Sequence, residues 1–138
     1  MKQVARKYGL DLIVLFGSQA KGRARHNSDV DLAVRFRPGL ARPGTRKLEI
    51  ASQFDALFPS AKEVDVSFLN DAGSILLFEV ATSGRLLYER QPLLFWQFQS
   101  YAARRYDDDY KYRMRRSLYL EHRAGQWARS KKTSSARS

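Results

Sequence analysis

Leu10-Asp11-Leu12-Ile13-Val14-Leu15-Phe16-Gly17-Ser18, a spacer of ten residues, and Asp29-Val30-Asp31-Leu32-Ala33-Val34-Arg35-Phe36 form the stretch that decides the fold. Its first half carries the continuous apolar run Leu12 to Phe16, ended by Gly-Ser, which predicts a buried strand over Leu10–Phe16. Its second half alternates, with Val30, Leu32, Val34 and Phe36 on one face and Asp29, Asp31, Ala33 and Arg35 on the other. That pattern predicts a strand that buries one face and leaves its aspartates open to a ligand. Aspartates at i and i+2 of a strand share a face, roughly 6.6–7 Å apart along the chain. A Gly-Ser turn leaving a strand offers backbone N–H groups and a hydroxyl to phosphate oxygens.

Further along, Glu63 to Leu69 reads as a third strand, with Val64, Val66 and Phe68 on one face and Asp65 and Ser67 on the other. Asp65 thus joins Asp29 and Asp31 as a polar-face carboxylate. Three convergent carboxylates make the oxygen-rich, negative pocket that Mg²⁺ prefers. Together with a phosphate turn they are the equipment of metal-dependent nucleotidyl transfer. Around these strands the sequence predicts a short helix over Val4–Tyr8 stopped by Gly9, and a short helix or turn over Ser18–Ala24. A loop is marked by Pro38, Gly39, Pro43 and Gly44. An amphipathic helix is predicted over Thr45–Phe58, with Leu48, Ala51, Phe54 (or Asp55) and Phe58 on its stripe and Pro59 as its stop. Ser74–Thr82 reads as a helix closing at Ser83-Gly84, and Arg85–Glu89 as a short strand.

From Leu93 to Arg123 there is neither Gly nor Pro. One helix of up to ~45 Å is expected there, with Phe95, Trp96, Phe98, Tyr101 and Tyr106 in its first half. Gly125–Ser138 holds no acid and few apolar residues, and reads as a disordered basic tail. The expected organisation is a core over 1–91, a helical extension of the same domain over 92–124, and the tail over 125–138.

At 138 residues and 43% hydrophobic content, one domain with a single core is expected. No apolar run approaches the ~18–20 residues of a membrane span, and Met1-Lys2-Gln3-Val4 lacks a signal peptide's apolar stretch. A cytoplasmic location without membrane contact is the expectation. The chain has no cysteine, which excludes disulfides, thiolate metal sites and thiol nucleophiles. The formal net charge is +11; residues 1–91 hold 14 Lys/Arg and 10 Asp/Glu, whereas residues 92–138 hold 11 and 4. A basic C-terminal third suits an acidic protein partner or nucleic acid.

Phe16-Gly17-Ser18, the ten-residue spacer and Ser28-Asp29-Val30-Asp31-Leu32-Ala33-Val34 resemble the minimal nucleotidyltransferase family of the DNA polymerase beta-like superfamily. Val64-Asp65-Val66 and the segment Glu79–Arg90 look like the same family. The resemblance covers about residues 5–91 and implies an α/β fold, a small mixed sheet flanked by helices, here followed by a long C-terminal helix. It further implies an antitoxin that transfers AMP from ATP to a tyrosine of a cognate HEPN-domain RNase toxin. Asp29, Asp31 and Asp65 would hold two Mg²⁺ ions, Asp65 also serving as acceptor of the incoming hydroxyl's proton. Gly17 and Ser18 would meet the triphosphate, and Lys21 keeps a cation in the turn. Two other readings are transfer of AMP to a small hydroxylated molecule, as in aminoglycoside nucleotidyltransferases, and a non-catalytic antitoxin that acts by binding, with operator DNA on its basic tail.

Other polar residues read as ordinary surface. Lys21, Arg23 and Arg25 either neutralise triphosphate charge or line a solvated loop, and His26 reads as a loop residue. Asp107-Asp108-Asp109 looks like a metal run, but three consecutive helical residues point in different directions, which makes it a solvated face. His122 and Trp127 take no role.

Overall fold

A computed structural model describes residues 1–17, 20, 22, 29–40 and 46–136, the last three without side chains. In chain order the elements are α1 (Lys2–Tyr8), β1 (Leu10–Phe16), β2 (Val30–Phe36), α2 (Arg46–Leu57), β3 (Val64–Phe68), a 3₁₀ turn (Leu69–Asp71), α3 (Ser74–Ser83), β4 (Arg85–Glu89) and α4 (Leu94–Ala136). The strands form one mixed sheet in the order β3-β2-β1-β4. β1 runs antiparallel to both its neighbours, and β2 and β3 run parallel. A parallel pair needs a crossover, which α2 supplies between β2 and β3.

Both faces of the sheet are covered, and this explains the unbroken apolar run of β1. On one face α1 and α2 bring Val4, Ala5, Tyr8, Ile50 and Phe54 onto Ile13, Leu32 and Val34. On the other, α3 and α4 bring Leu77, Val80, Phe98 and Ala102 onto Leu12, Val14, Phe16 and Ala33. A register shift between Leu10 and Leu12 turns Leu10 towards the first core and Leu12 towards the second. Beside it Asp11, fully buried, accepts a two-pronged bond from Arg35, with Nε to Oδ1 at 2.9 Å and an Nη to Oδ2 at 3.0 Å. The guanidinium lies 6.0 Å from the centroid of the Phe98 ring. One ion pair thus ties β1, β2 and α4 together.

Three expectations need correction. The polar-patterned face of β2 is open only at its start, because Ala33 is buried under α3 and α4 and Arg35 is taken by Asp11. In α2 the inward stripe is Ile50 and Phe54, while Leu48 is 83% exposed; the pair at i and i+4 buries more apolar surface than Leu48 with Ala51. Finally, the helix expected to end near Arg123 continues through Gly125 to Ala136, so the tail expected to be disordered is helical over its described residues. One glycine costs about 1 kcal/mol in a helix. Ala124, Gln126, Ala128, Arg129, Lys131 and Lys132 are strong helix formers, no proline intervenes, and the Thr133 hydroxyl donates to the Arg129 carbonyl at 2.6 Å.

The first turns of α4 belong to the domain. The Glu89 carboxylate accepts the Phe95 N–H at 3.1 Å, Gln99 donates to the Ala81 carbonyl at 3.0 Å, and Phe78 stacks on Tyr106 at 4.1 Å between centroids. From Asp107 to Thr133 every side chain is exposed save Asp109, and Gly125 is half-buried.

Candidate active site

Strand register assembles the site. Phe16 pairs with Asp31 across the antiparallel β1–β2 ladder, and Asp31 pairs with Asp65 across the parallel β2–β3 ladder. Adjacent strands lie about 4.8 Å apart, so the residues at these paired positions share one end of the sheet. β3 is locked there by the Val30 N–H, which donates to the Glu63 carbonyl at 2.8 Å. Gly17 leaves β1 with φ of 74°, a left-handed conformation natural to glycine, and a Cβ at this position would run into the Asp31 carboxylate. The absence of a side chain therefore lets the turn sit directly beside the acid.

Asp31 is half-buried, and Asp29 and Asp65 are exposed around it. Burial first, then the charges of Asp65, Asp29 and Glu79, push the Asp31 carboxyl above its ordinary range. The sequence reading missed Glu79 as a member of this field. Its signal was available: it is the only acid on the apolar helix Ser74–Ser83, one residue before the buried Val80. Ser18 and Lys21, with Arg23, Arg25 and His26, lie outside the described residues. Asp107 pairs with Lys111 at 3.0 Å on the solvated surface of α4, which is the surface role expected of it.

The donor set is chemically right for a hard divalent cation: carboxylate oxygens only, mutually repelling, one of them partly desolvated. It is not a closed cage, since among the described residues no three acidic, histidine or cysteine side chains gather tightly enough to grip an ion.

The mixed sheet is thus covered on both faces, with a glycine turn beside neighbouring carboxylates at one end, an architecture of the nucleotidyltransferase fold. Residues 1–93 match the family described as polymerase beta, nucleotidyltransferase, and the chain belongs to that family. It is 34% identical over 82 residues to the protein adenylyltransferase MntA of Shewanella oneidensis; the match spans 59% of this chain and 56% of that relative, little more than half its length. The fold is similar to a chain in a crystal structure of a toxin–antitoxin with AMP-PNP, with a TM-score of 0.70, 25% identity and coverage of 86% of this chain and 94% of that one. It is also similar to a chain in a structure of a tri-AMPylated S. oneidensis HEPN toxin in complex with an MNT antitoxin, with a TM-score of 0.64, 22% identity and coverage of 86% and 91%. The expected mixed α/β fold with its long C-terminal helix is thereby met.

Proposed function

We propose that this protein is an antitoxin adenylyltransferase that transfers AMP from ATP to a tyrosine hydroxyl of a cognate HEPN-domain toxin. The observation that carries this reading is the juxtaposition of Asp31 with Asp65 on parallel strands and with the side-chain-free Gly17 turn. The likeness to a protein adenylyltransferase supports a protein acceptor over a small one.

Each residue then has a task. Gly17 admits the triphosphate against the backbone, and Ser18 and Lys21 contribute a hydroxyl and a cation to its oxygens. Asp29, Asp31 and Asp65 would hold two Mg²⁺ ions. When bound, these ions offset the phosphate charge and lower the pKa of the attacking hydroxyl. Asp65, exposed on the edge strand, accepts the tyrosine proton. The tyrosine oxygen bonds to the α-phosphorus and pyrophosphate departs. Beyond Asp107 the helix α4 is an exposed basic arm, with eight Lys and Arg against four Asp and Glu in residues 107–136. We assign it to docking an acidic face of the toxin, with operator DNA as a second polyanion that a gel-shift assay would read.

The experiment uses ATP labelled at the α-phosphate, the cognate HEPN protein and Mg²⁺. Label should enter the toxin, and Asp29→Asn/Asp31→Asn should abolish it. Neutralisation without labelling would establish the binding-only antitoxin, and label passing to an aminoglycoside but not to the toxin would establish the small-molecule enzyme.

A further inference from the structure

The opposite end of the sheet carries a cavity that the transfer reaction does not use. It has a volume of about 360 Å³ and is lined by Ala5, Arg6, Gly9, Leu10, Arg37, Tyr88 and Arg90. β1 is seven residues long, so its ends, and with them this cavity and the Gly17 turn, are ~20 Å apart.

The backbone builds the cavity as firmly as it builds the site at the other end. The Arg37 N–H, just after β2, donates to the Gly9 carbonyl at 2.9 Å, and the Arg90 N–H, just after β4, donates to the Asp11 carbonyl at 2.9 Å. β1 lies between these two strands, so the Cα atoms of Arg37 and Arg90 flank it at a separation of ~10 Å. Arg6, in the last turn of α1, closes the third side. Among the described residues no carboxylate pairs with any of the three; Asp11, next to Leu10, is buried and bound to Arg35, and Glu89, between Tyr88 and Arg90, accepts the Phe95 N–H. Arg90 meets only the neighbouring Gln91 amide, whose oxygen accepts from both terminal nitrogens at 3.1 Å when the amide is turned to face them. The weak negative pole at the end of α1 is outweighed by Arg6 and Lys7 in its own last turn.

Three arginines without a carboxylate partner among the described residues line one concavity, and guanidinium groups bind phosphate through paired N–H donors. Tyr88 lines the cavity as well, and aromatic side chains are platforms on which bases stack. The volume is at the low end of ligand sites, which suits a small molecule. We propose that this cavity is a second ligand site, independent of the carboxylate end, that takes a phosphorylated small molecule of mononucleotide size.

The test titrates AMP into the ¹⁵N-labelled full-length protein in EDTA, which silences the carboxylate site. Saturable amide shifts are expected at Gly9, Arg37 and Arg90, and they should persist in Asp29→Asn/Asp31→Asn. Arg37→Gln/Arg90→Gln should weaken the affinity by roughly tenfold or more. The charge-conserving Arg37→Lys/Arg90→Lys should weaken it less, and guards against a folding defect in the first variant. Adenosine should not bind, and inorganic phosphate should compete but bind more weakly than AMP. Shifts confined to Gly17 and the start of β2, the absence of saturation, or adenosine binding as well as AMP would each overturn the proposal. Phosphate matching AMP would overturn the organic ligand.

Discussion

Asp31 is where fold and chemistry conflict most directly. Its carboxyl titrates higher in the folded protein than in the unfolded chain, so at neutral pH its charge opposes folding while no cation is present. That penalty is present above the raised pKa and disappears as pH falls through it. The metal-free protein should therefore gain stability on mild acidification, before other carboxylates protonate. Asp31→Asn should raise the metal-free Tm at pH 7 and make it less sensitive to pH just above the ordinary carboxylate range; an unchanged Tm in scanning calorimetry would contradict this. The same substitution should eliminate AMP transfer. Gly17→Ala meets two obstacles, a left-handed φ costing about 1–2 kcal/mol and a methyl group where the Asp31 carboxylate now lies. We expect a modest loss of stability in denaturant titration, but a far larger loss of kcat/KM, because the acid must move aside.

At the scale of elements, α4 divides into two parts. Phe98 and Ala102 are fully packed in the core between α3 and the sheet, so Phe98→Ala should cost about 3–5 kcal/mol. A chain ending at Arg90 should not fold, whereas one ending at Tyr110 should keep a cooperative melt, losing toxin docking and the helical circular dichroism of the deleted arm alone. The Asp11–Arg35 pair should behave as a buried ion pair, and Asp11→Ala should cost about 3 kcal/mol by stranding Arg35. Much of this was legible in the sequence. β1, β2 and β3 announce themselves through an apolar run and two clean alternations, each bounded by turn residues, and Gly17, Asp31 and Asp65 follow because register on a pleated strand fixes their face. What local pattern cannot show is what covers a face. Ala33 and Arg35 read as open because nothing nearby in sequence says that α4, more than sixty residues later, lies over them. Asp11, a lone acid in an apolar run, could be understood only with its partner in view. Gly125 read as a stop because glycine so often is one, yet its cost is small beside a long run of helix formers.

For the whole molecule, charge and shape lie in the same place. The net charge of +11 is carried in good part by the C-terminal third, whose helix stands free of the domain beyond Asp107, so association with an acidic partner should be fast at low salt and weaken as ionic strength rises. A Kd for the toxin that is unmoved between ~0.05 and ~0.3 M salt, well across the change in screening length, would rule out α4 as the docking element. The solvent-accessible surface is 9881 Å², about a third above the ~7,400 Å² expected of a compact protein of this mass. The exposed arm of α4 adds to this surface and makes the particle elongated. In small-angle scattering the radius of gyration should exceed the ~14 Å of a compact 138-residue domain, and the pair-distance distribution should trail off in a long shoulder. In nuclear relaxation, amides along the arm should show rotational diffusion faster about the helix axis than across it. Bound to a partner, such an arm works as an oar: a small tilt at its root beside Phe98 becomes a sweep of many ångströms at Ala136.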